Sequence, residues 1–310
     1  MKNSLLKFVV CIFALSLAAA SAPAQTKTSH DFSSFDALEV DYDFNVRVVD
    51  SRDYSVSMNL ENDLKDYVQA YVKNHTLYIA LDEKKLPSDL RKRYRGRRSS
   101  SPLLDVTVYT PEALTSIKMK GASSLDVGFD LECRDFVLDL SENARVTKLV
   151  ADASNISVTM AGKSSAIGIA LFADNIKINV AGSAKLEAEQ DSQRIEIVAG
   201  GSAQLDVEGE TLDVQLTTSG SSKTTVRGKT NTLSVNGSAT SNVDAVSLKT
   251  SECTARLSNS SKLYEAATET LHIDISGNST LVFDGDPVID IINVKSSTVQ
   301  RYSNSGSSRR

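Results

Sequence analysis

The residue types that most often carry catalysis or hold metals are few in this sequence and are not grouped. The three histidines are His30, His75 and His272, and none lies at metal-ligand spacing from another histidine or from a cysteine. The sequence also lacks a Gly-x-Ser-x-Gly elbow, a phosphate-binding loop and a dinucleotide fingerprint. We therefore expect surface histidines, no catalytic residue, no metal and no cofactor.

Acidic residues leave one enzymatic alternative open. Some polysaccharide lyases and hydrolases use acidic or basic groups along one face of a repetitive β-fold. The competing interpretation is that charges alternating along strands solvate the outer faces and discourage edge pairing. The carboxylates that could contribute to such a site are Asp126, Asp206, Glu208, Asp213, Asp274, Asp284 and Asp286.

The most concentrated charge is a run with six basic residues in eight positions. It lies between Pro87 and Pro102 and continues into three serines, which predicts an exposed, mobile loop. Such a loop suits lipopolysaccharide phosphates, an acidic glycan or an acidic protein, but a proteolytic site or a solvated loop without a partner fits equally. The six residues are Arg91, Lys92, Arg93, Arg95, Arg97 and Arg98.

A five-residue phrase recurs ten times from residue 121 onward, at a mean spacing of about 19 residues. It contains glycine, a small polar residue, serine or alanine, a polar residue and an apolar residue. The third position is small in every copy, which indicates a tight internal stack. It is occupied by Ser123, Ala144, Ser164, Ala184, Ala203, Ser222, Ala239, Ser261, Ser279 and Ser297.

The fourth position of the phrase predicts an outward-facing polar column. A stripe of hydroxyls and lysines suits a glycan or an anionic surface, although solubility alone explains it equally well and the stripe has no aromatic side chain on which a sugar could stack. Its members are Ser124, Arg145, Ser165, Lys185, Gln204, Lys223, Thr240, Lys262, Thr280 and Thr298.

Alternating apolar residues lie on both sides of each phrase, as in Ile176, Ile178 and Val180. A period of two is typical of a strand with one buried face. A unit this small cannot bury that face alone, so units must stack. We therefore predict an all-β parallel β-helix of about ten rungs, with right-handed coiling. A left-handed hexapeptide helix would show a period of six, and propeller blades need longer repeats.

The predicted register keeps the two cysteines outside the N-terminal segment apart. Cys133 and Cys253 lie six rungs from each other, or about 29 Å at the spacing between neighbouring strands. A disulfide tolerates roughly 7 Å between Cα atoms. We therefore expect both to be free, buried thiols.

The first 24 residues have the three-part pattern of a secretory signal peptide. Lysines at positions 2 and 7 precede an apolar stretch, and Ala22-Pro23-Ala24 follows it. We predict cleavage after Ala24 and an exported protein that is periplasmic, at the outer-membrane surface or secreted. A lipoprotein is disfavoured because Cys11 lies within the apolar stretch. No later segment has the roughly 20 apolar residues that span a bilayer.

The composition excludes several classes of protein. With 41% hydrophobic and 24% charged residues, the chain is neither collagen-like nor disordered throughout. A net charge of -5 and a pI near 5.4 argue against a nucleic-acid partner. The domain organisation that we predict is a signal peptide (1–24), a β-rich N-terminal cap or opening coils (25–112), the repeat β-helix (113–300) and a polar tail (301–310).

The N-terminal region resembles a known family. The segments Phe35–Val40, Phe44–Val48, Tyr54–Met58, Leu104–Val108 and Ile117–Ser124 are similar, in sequence and order, to the exported head GIN domain family of Bacteroidota. That resemblance covers nearly all of the mature chain. It implies a β-helical adhesin head without catalytic residues.

These observations predict a non-enzymatic interaction or adhesin-like module that binds a glycan, lipopolysaccharide, another envelope component or a protein. Two alternatives stay open, namely a polysaccharide-active enzyme and an envelope protein whose rod is only a spacer. The oligomeric state does not follow from the sequence.

Overall fold

The computed structural model describes residues 25–95 and 102–302, most of which lie in β-strands. Cleavage after Ala24 therefore falls outside the described residues. The elements in chain order are β1 (Gln25–Asp31), β2 (Ala37–Asp41), β3 (Asn45–Asp50), β4 (Ser55–Glu61), a 3-10 turn (Lys65–Tyr67), β5 (Val68–Lys73), β6 (Thr76–Leu81), α1 (Ser88–Arg95), β7 (Leu104–Thr110), β8 (Ser116–Met119), β9 (Ser124–Val127), β10 (Leu131–Leu140), β11 (Arg145–Met160), β12 (Ser165–Val180), β13 (Lys185–Ala199), β14 (Gln204–Thr218), β15 (Lys223–Gly237), β16 (Asn242–Leu257), β17 (Lys262–Ser276), β18 (Thr280–Phe283), β19 (Val288–Lys295) and β20 (Thr298–Arg301).

The repeat folds into a parallel β-solenoid of about ten turns, as the sequence predicts. Each strand from β11 to β17 forms almost one whole coil and pairs in parallel with the strands of the coils before and after it. The described residues include no helix long and apolar enough to cross a membrane.

Because apolar residues alternate with polar residues along each strand, the apolar residues of successive coils stack into columns inside the solenoid. One such column contains eight side chains, each at most 2% exposed, and each strand from β10 to β17 contributes one of them. Because the column is continuous, each coil buries its apolar face against the next. Its members are Phe136, Ile156, Ile176, Ile195, Val214, Leu233, Cys253 and Leu271.

The corner between coils is a stack of glycines and small side chains. At Gly201 φ is +68°, and a Cβ there would lie 2.8 Å from the backbone oxygen of Gly182. The small third residue of the phrase is buried directly beside this stack, as in Ala184 and Ala203, both 0% exposed. Non-glycine residues also hold a positive φ at corners, among them Glu142, Ala239 and Asn259, so the corner favours glycine without requiring it in every coil.

The seventh copy of the phrase begins two residues later than the sequence motif predicts. Gly237 is the last residue of β15, and Ala239, with φ of +59°, takes the corner position. Ser241, rather than Ala239, is the buried small residue. Asn242, rather than Thr240, pairs with both Lys223 and Lys262. The prediction for this copy was wrong because Gly237-Ser-Ala imitates the motif, whereas backbone pairing sets the register.

The N-terminal end of the solenoid is closed. Strands β2 and β3 form a coil that stacks in parallel on β8 and β9, and β6 and β7 stack on its other side. Strands β4 and β5 then pair antiparallel with β7 and β6, and β1 pairs antiparallel with β4. The reversal of strand direction ends the parallel ladder, and among the described residues polar β1 and strand β5 are the edge strands of this end.

Both cysteines in the described residues are free, as predicted. Cys133 aligns with Ala153 in β11, and the same column reaches Thr250 in the coil of Cys253 after six steps. Cys253 is fully buried. Burial of Cys133 was predicted incorrectly, because this residue lies near the outer edge of its coil and is half-buried.

The corner stack predicts different costs for two adjacent substitutions. Gly201→Ala forces an L side chain into a left-handed conformation against Gly182, and we expect it to lower the free energy of unfolding by about 1–3 kcal/mol. Gly200→Ala is the matched control, since its Cβ would meet only the Ser219 hydroxyl at 3.5 Å. Denaturant unfolding of both variants measures the difference, and equal stabilities would contradict the role assigned to the corner.

Candidate functional site

The first residue after each corner forms an outward column along the solenoid, which we call the corner column. Between Arg145 and Lys262 it alternates strictly between a cation and an uncharged polar side chain. Two neighbouring cations are therefore separated by two rungs, or about 9.6 Å at the usual spacing between strands. The column contains Ser124, Arg145, Ser165, Lys185, Gln204, Lys223, Asn242, Lys262, Thr280 and Thr298.

Alternation keeps like charges apart in a ladder that stacks equivalent residues directly. Cations on adjacent rungs would be about 4.8 Å apart at the backbone and would repel each other. All four cations of the column are exposed. The Lys185 ammonium lies 2.6 Å from the Glu187 carboxylate, whereas no ion pair is found in the described part of the chain for Arg145, Lys223 or Lys262.

A second column, of hydroxyl groups, runs beside the corner column. It consists of the second residue of five consecutive corners, all exposed, namely Ser183, Ser202, Ser221, Thr240 and Ser260. The hydroxyl oxygens of Ser221 and Thr240 lie 3.0 Å apart, so neighbouring rungs contact each other. Together the two columns, here called the corner edge, present cations and hydroxyls side by side over these five coils.

Two of the predicted carboxylates, Asp206 and Glu208, meet in a shallow groove of about 360 Å³. The Arg227 guanidinium lies between them, 2.7 Å from Asp206 and 3.7 Å from Glu208. The hydrogen bond with Asp206 raises the pKa of Arg227. Glu187 and Glu189 also line this groove. An exposed ion-pair cluster accounts for the grouping of these carboxylates.

Three other predicted carboxylates, Asp213, Asp274 and Asp286, each have polar partners of their own, and Asp286 pairs with Arg301 at 3.2 Å. Asp213 accepts hydrogen bonds from Thr232 at 2.8 Å, Gln215 at 3.1 Å and Arg194 at 3.1 Å. Burial raises the pKa of Asp213, but these hydrogen bonds outweigh it, and the pKa is lowered overall. Asp274 accepts a hydrogen bond from Asn293 at 3.2 Å.

The basic segment is helical where the structure describes it, so the prediction of a loop was wrong for Arg91, Lys92 and Arg93. Helix α1 contains neither glycine nor proline, and its Tyr94 ring is only 7% exposed. Burial of this ring anchors the helix. The density of basic residues in the sequence did not indicate that the ring would be buried.

Two of the helical cations are engaged within the chain. Arg91 donates from Nε to the Leu86 carbonyl oxygen at 2.8 Å, and Arg93 forms an ion pair with Asp63. Arg97 and Arg98 lie outside the described residues, as does the side chain of Arg95. The proposed anionic partner of this segment stays a prediction.

Histidines and cysteines form no metal site in residues 25–95 and 102–302, where no group of three or more His, Cys, Asp or Glu residues is placed to hold an ion. His272 contacts Asp290 in the next coil, with Nδ1 and Oδ2 2.9 Å apart. This pair is an exposed contact between neighbouring rungs.

One buried acid was missed from the sequence. Glu265 is 0% exposed, and one of its oxygens accepts a hydrogen bond from the Ala267 amide at 2.7 Å. Its other oxygen, Oε1, is buried and has no hydrogen-bond partner among the residues that the structure describes. Burial raises the pKa of Glu265 to about 7. The alternation Leu263, Glu265, Ala267 placed this residue on the inward face and could have revealed it.

Comparisons with known proteins agree with this architecture. The family described as "Putative auto-transporter adhesin, head GIN domain" matches residues 34–190 and 173–287. The chain is similar to a "putative adhesin" from Parabacteroides distasonis, with 16% identity and a TM-score of 0.52, covering 90% of this chain and 97% of the other. It is also similar to one from Parabacteroides merdae, with 12% identity and a TM-score of 0.51, covering 90% and 96%. Curated proteins give no match.

The buried carboxyl group of Glu265 predicts that stability falls as the pH rises. The folded state holds the proton up to a pKa of about 7, against an ordinary value of 4.5. The free energy of unfolding should therefore decrease between these values and level off above them. The full effect is about 3 kcal/mol at roughly 1.4 kcal/mol per pKa unit.

Glu265→Gln should abolish this dependence, giving a variant more stable than the wild type at pH 8 but not at pH 4. Denaturant unfolding at both pH values measures the difference. Glu269→Gln, at an exposed position of the same strand, is the control. An unchanged pH profile in Glu265→Gln would show that the Glu265 carboxyl is not responsible.

Proposed function

We propose, since the chain belongs to the head GIN domain family, that it is an exported, non-enzymatic adhesion module whose corner edge binds an anionic glycan. Export follows from the N-terminal signal, and adhesion is the role that the family description names. The observation that carries the proposal is the strict alternation of cations and uncharged polar residues along the corner column.

The spacing of the cations suits an extended polymer better than a small molecule. Four cations from Arg145 to Lys262 extend over six rungs, or about 29 Å. A glycan chain lying parallel to the solenoid would bring its carboxylates, sulfates or phosphates to successive cations. Gln204, Asn242 and the adjacent hydroxyl column would then donate to and accept from the sugar hydroxyls.

Binding of this kind depends on many weak contacts. An exposed ion pair contributes about 0–1 kcal/mol, so no single cation should dominate. Contacts linked along one rigid scaffold act together, because each bound sugar holds the next near its site. Exposed charges are also screened by salt. Affinity should therefore increase with glycan length and fall with ionic strength.

The test is binding of the purified mature protein to an array of acidic and neutral glycans from bacteria and hosts, at low and high salt. Replacing Arg145, Lys185, Lys223 and Lys262 with serine should weaken binding to acidic glycans at least tenfold, or about 1.4 kcal/mol. Binding of the wild type should itself weaken at high salt.

The control removes the same charge elsewhere, by serine at the exposed Lys148, Lys177, Lys229 and Lys249, and should leave binding largely intact. A third variant carries serine at Arg91, Lys92, Arg93, Arg95, Arg97 and Arg98. Loss of binding in that variant alone would move the site to the α1 segment. Release of glycan fragments would identify an enzyme instead, and no binding by the wild type would refute the proposal.

A further inference from the structure

The C-terminal end of the solenoid presents an uncovered apolar strand. All eight residues of β19 are exposed, and its most exposed apolar residues are Val288 at 72%, Ile292 at 61% and Ile291 at 60%. Monomeric proteins seldom expose contiguous apolar surface of this kind. None of the described residues packs over this strand on its outer side.

These side chains continue the interior columns of the solenoid. Ile289 aligns with Leu271, and Ile291 aligns with Ile273, whose side chains are 0% exposed. A bulge follows Ile291, after which Val294 aligns with Ile275. The inward-facing residues of β19 therefore have the chemistry of the core but lack a following coil.

The backbone of β19 is equally open. Strand β19 pairs with β17 on one side, and the described residues supply no strand on the other. Its free N–H and C=O groups form an edge that another strand can extend. The apolar side chains and the unpaired edge lie on the same end, so an added strand would satisfy both.

A chain of copies stacked head to tail is disfavoured because the two ends differ. The N-terminal end finishes in antiparallel β4, β5 and β1, and the outermost strand, β1, carries the polar sequence Gln-Thr-Lys-Thr-Ser-His-Asp. The other edge strand of this end, β5, has its apolar residues Val68, Ala70 and Val72 half-buried against the core, so neither edge exposes an apolar row that matches β19. A second copy can match it only through its own C-terminal end, which is the isologous contact of a twofold dimer.

We propose that two copies of the chain dimerise by antiparallel pairing of β19, with the twofold axis between Ile291 and Ile292. This register places Ile289 opposite Val294 of the partner subunit on the inward side. On the outward side it places Asp290 opposite Asn293 of the partner subunit, an acceptor against a donor. The bulge lies at the axis in both copies, and no two like charges face each other across the pair.

Sedimentation velocity of the mature protein over a range of concentrations tests the dimer. We expect a dimer for the wild type and a shift to monomer for Ile291→Lys, with the dissociation constant raised at least about tenfold. Leu212→Lys is the matched control, because Leu212 is 55% exposed in the middle of the solenoid and should leave the dimer intact. Circular dichroism confirms that each variant is folded.

Cysteine pairing tests the register independently of that substitution. In a Cys133→Ser background, Asp290→Cys combined with Asn293→Cys should give a disulfide-linked dimer on mild oxidation. The two cysteines of one chain are three residues apart along a strand, or about 10 Å, too far to join each other. The control pair, His272→Cys with Asp274→Cys, lies one coil further in on β17 and should stay unlinked.

A wild type that remains monomeric at all concentrations would overturn the proposal, and so would a dimer unaffected by Ile291→Lys. If residues 303–310 cover β19 instead, the protein is a monomer and the engineered cysteines do not link. Cross-linking by the control pair to the same extent would show that the contact is not specific to β19.

Discussion

In-register stacking is the constraint on which the rest of this molecule depends. Each coil pairs with the next along nearly its whole length, so a residue lies about 4.8 Å from the residue at the same position in the neighbouring coil. Each side chain must therefore be compatible with the side chains at the same position in the coils before and after it. This selects small residues at the corner and aliphatic residues inside the solenoid.

The same constraint determines the kind of surface that the protein can offer. A stacked ladder produces columns rather than deep pockets, and the groove around Arg227 is shallow and occupied by an ion pair. In the corner column, cations alternate with uncharged residues, which keeps like charges two rungs apart. Other columns do place like charges on adjacent rungs, as with Glu187 and Asp206, where the Arg227 guanidinium pairs with Asp206. A surface of this kind is suited to extended, repetitive ligands, which an adhesion protein meets on cells and in the envelope.

Features set by short-range pattern were predictable from the sequence, and features set by distant contacts were not. The period of two and the repeat length were sufficient to predict the stacked coils and the separation of Cys133 from Cys253. The register at Gly237 failed because the motif occurs twice in overlapping form, and only pairing with β14 and β16 selects Ala239. Helix α1 was not predicted, because the helix depends on burial of the Tyr94 side chain, whereas the basic residues around Tyr94 indicated an exposed loop. Alternation places the corner column outside but does not identify a ligand.

A stack of equivalent coils has no internal feature that ends it. Each end of the solenoid must therefore be terminated in its own way. The N-terminal end stops by reversing strand direction, which removes the parallel template. At the C-terminal end the described residues show no such reversal, and the buried Glu265 aligns with Phe283 in the adjacent strand, β18. In a solenoid, terminal repeats open more easily than central ones, because they have a neighbour on one side only. Ionisation of Glu265 would therefore weaken the contact between β17 and the last strands of the solenoid, and a partner strand paired with β19 would oppose the opening of those strands.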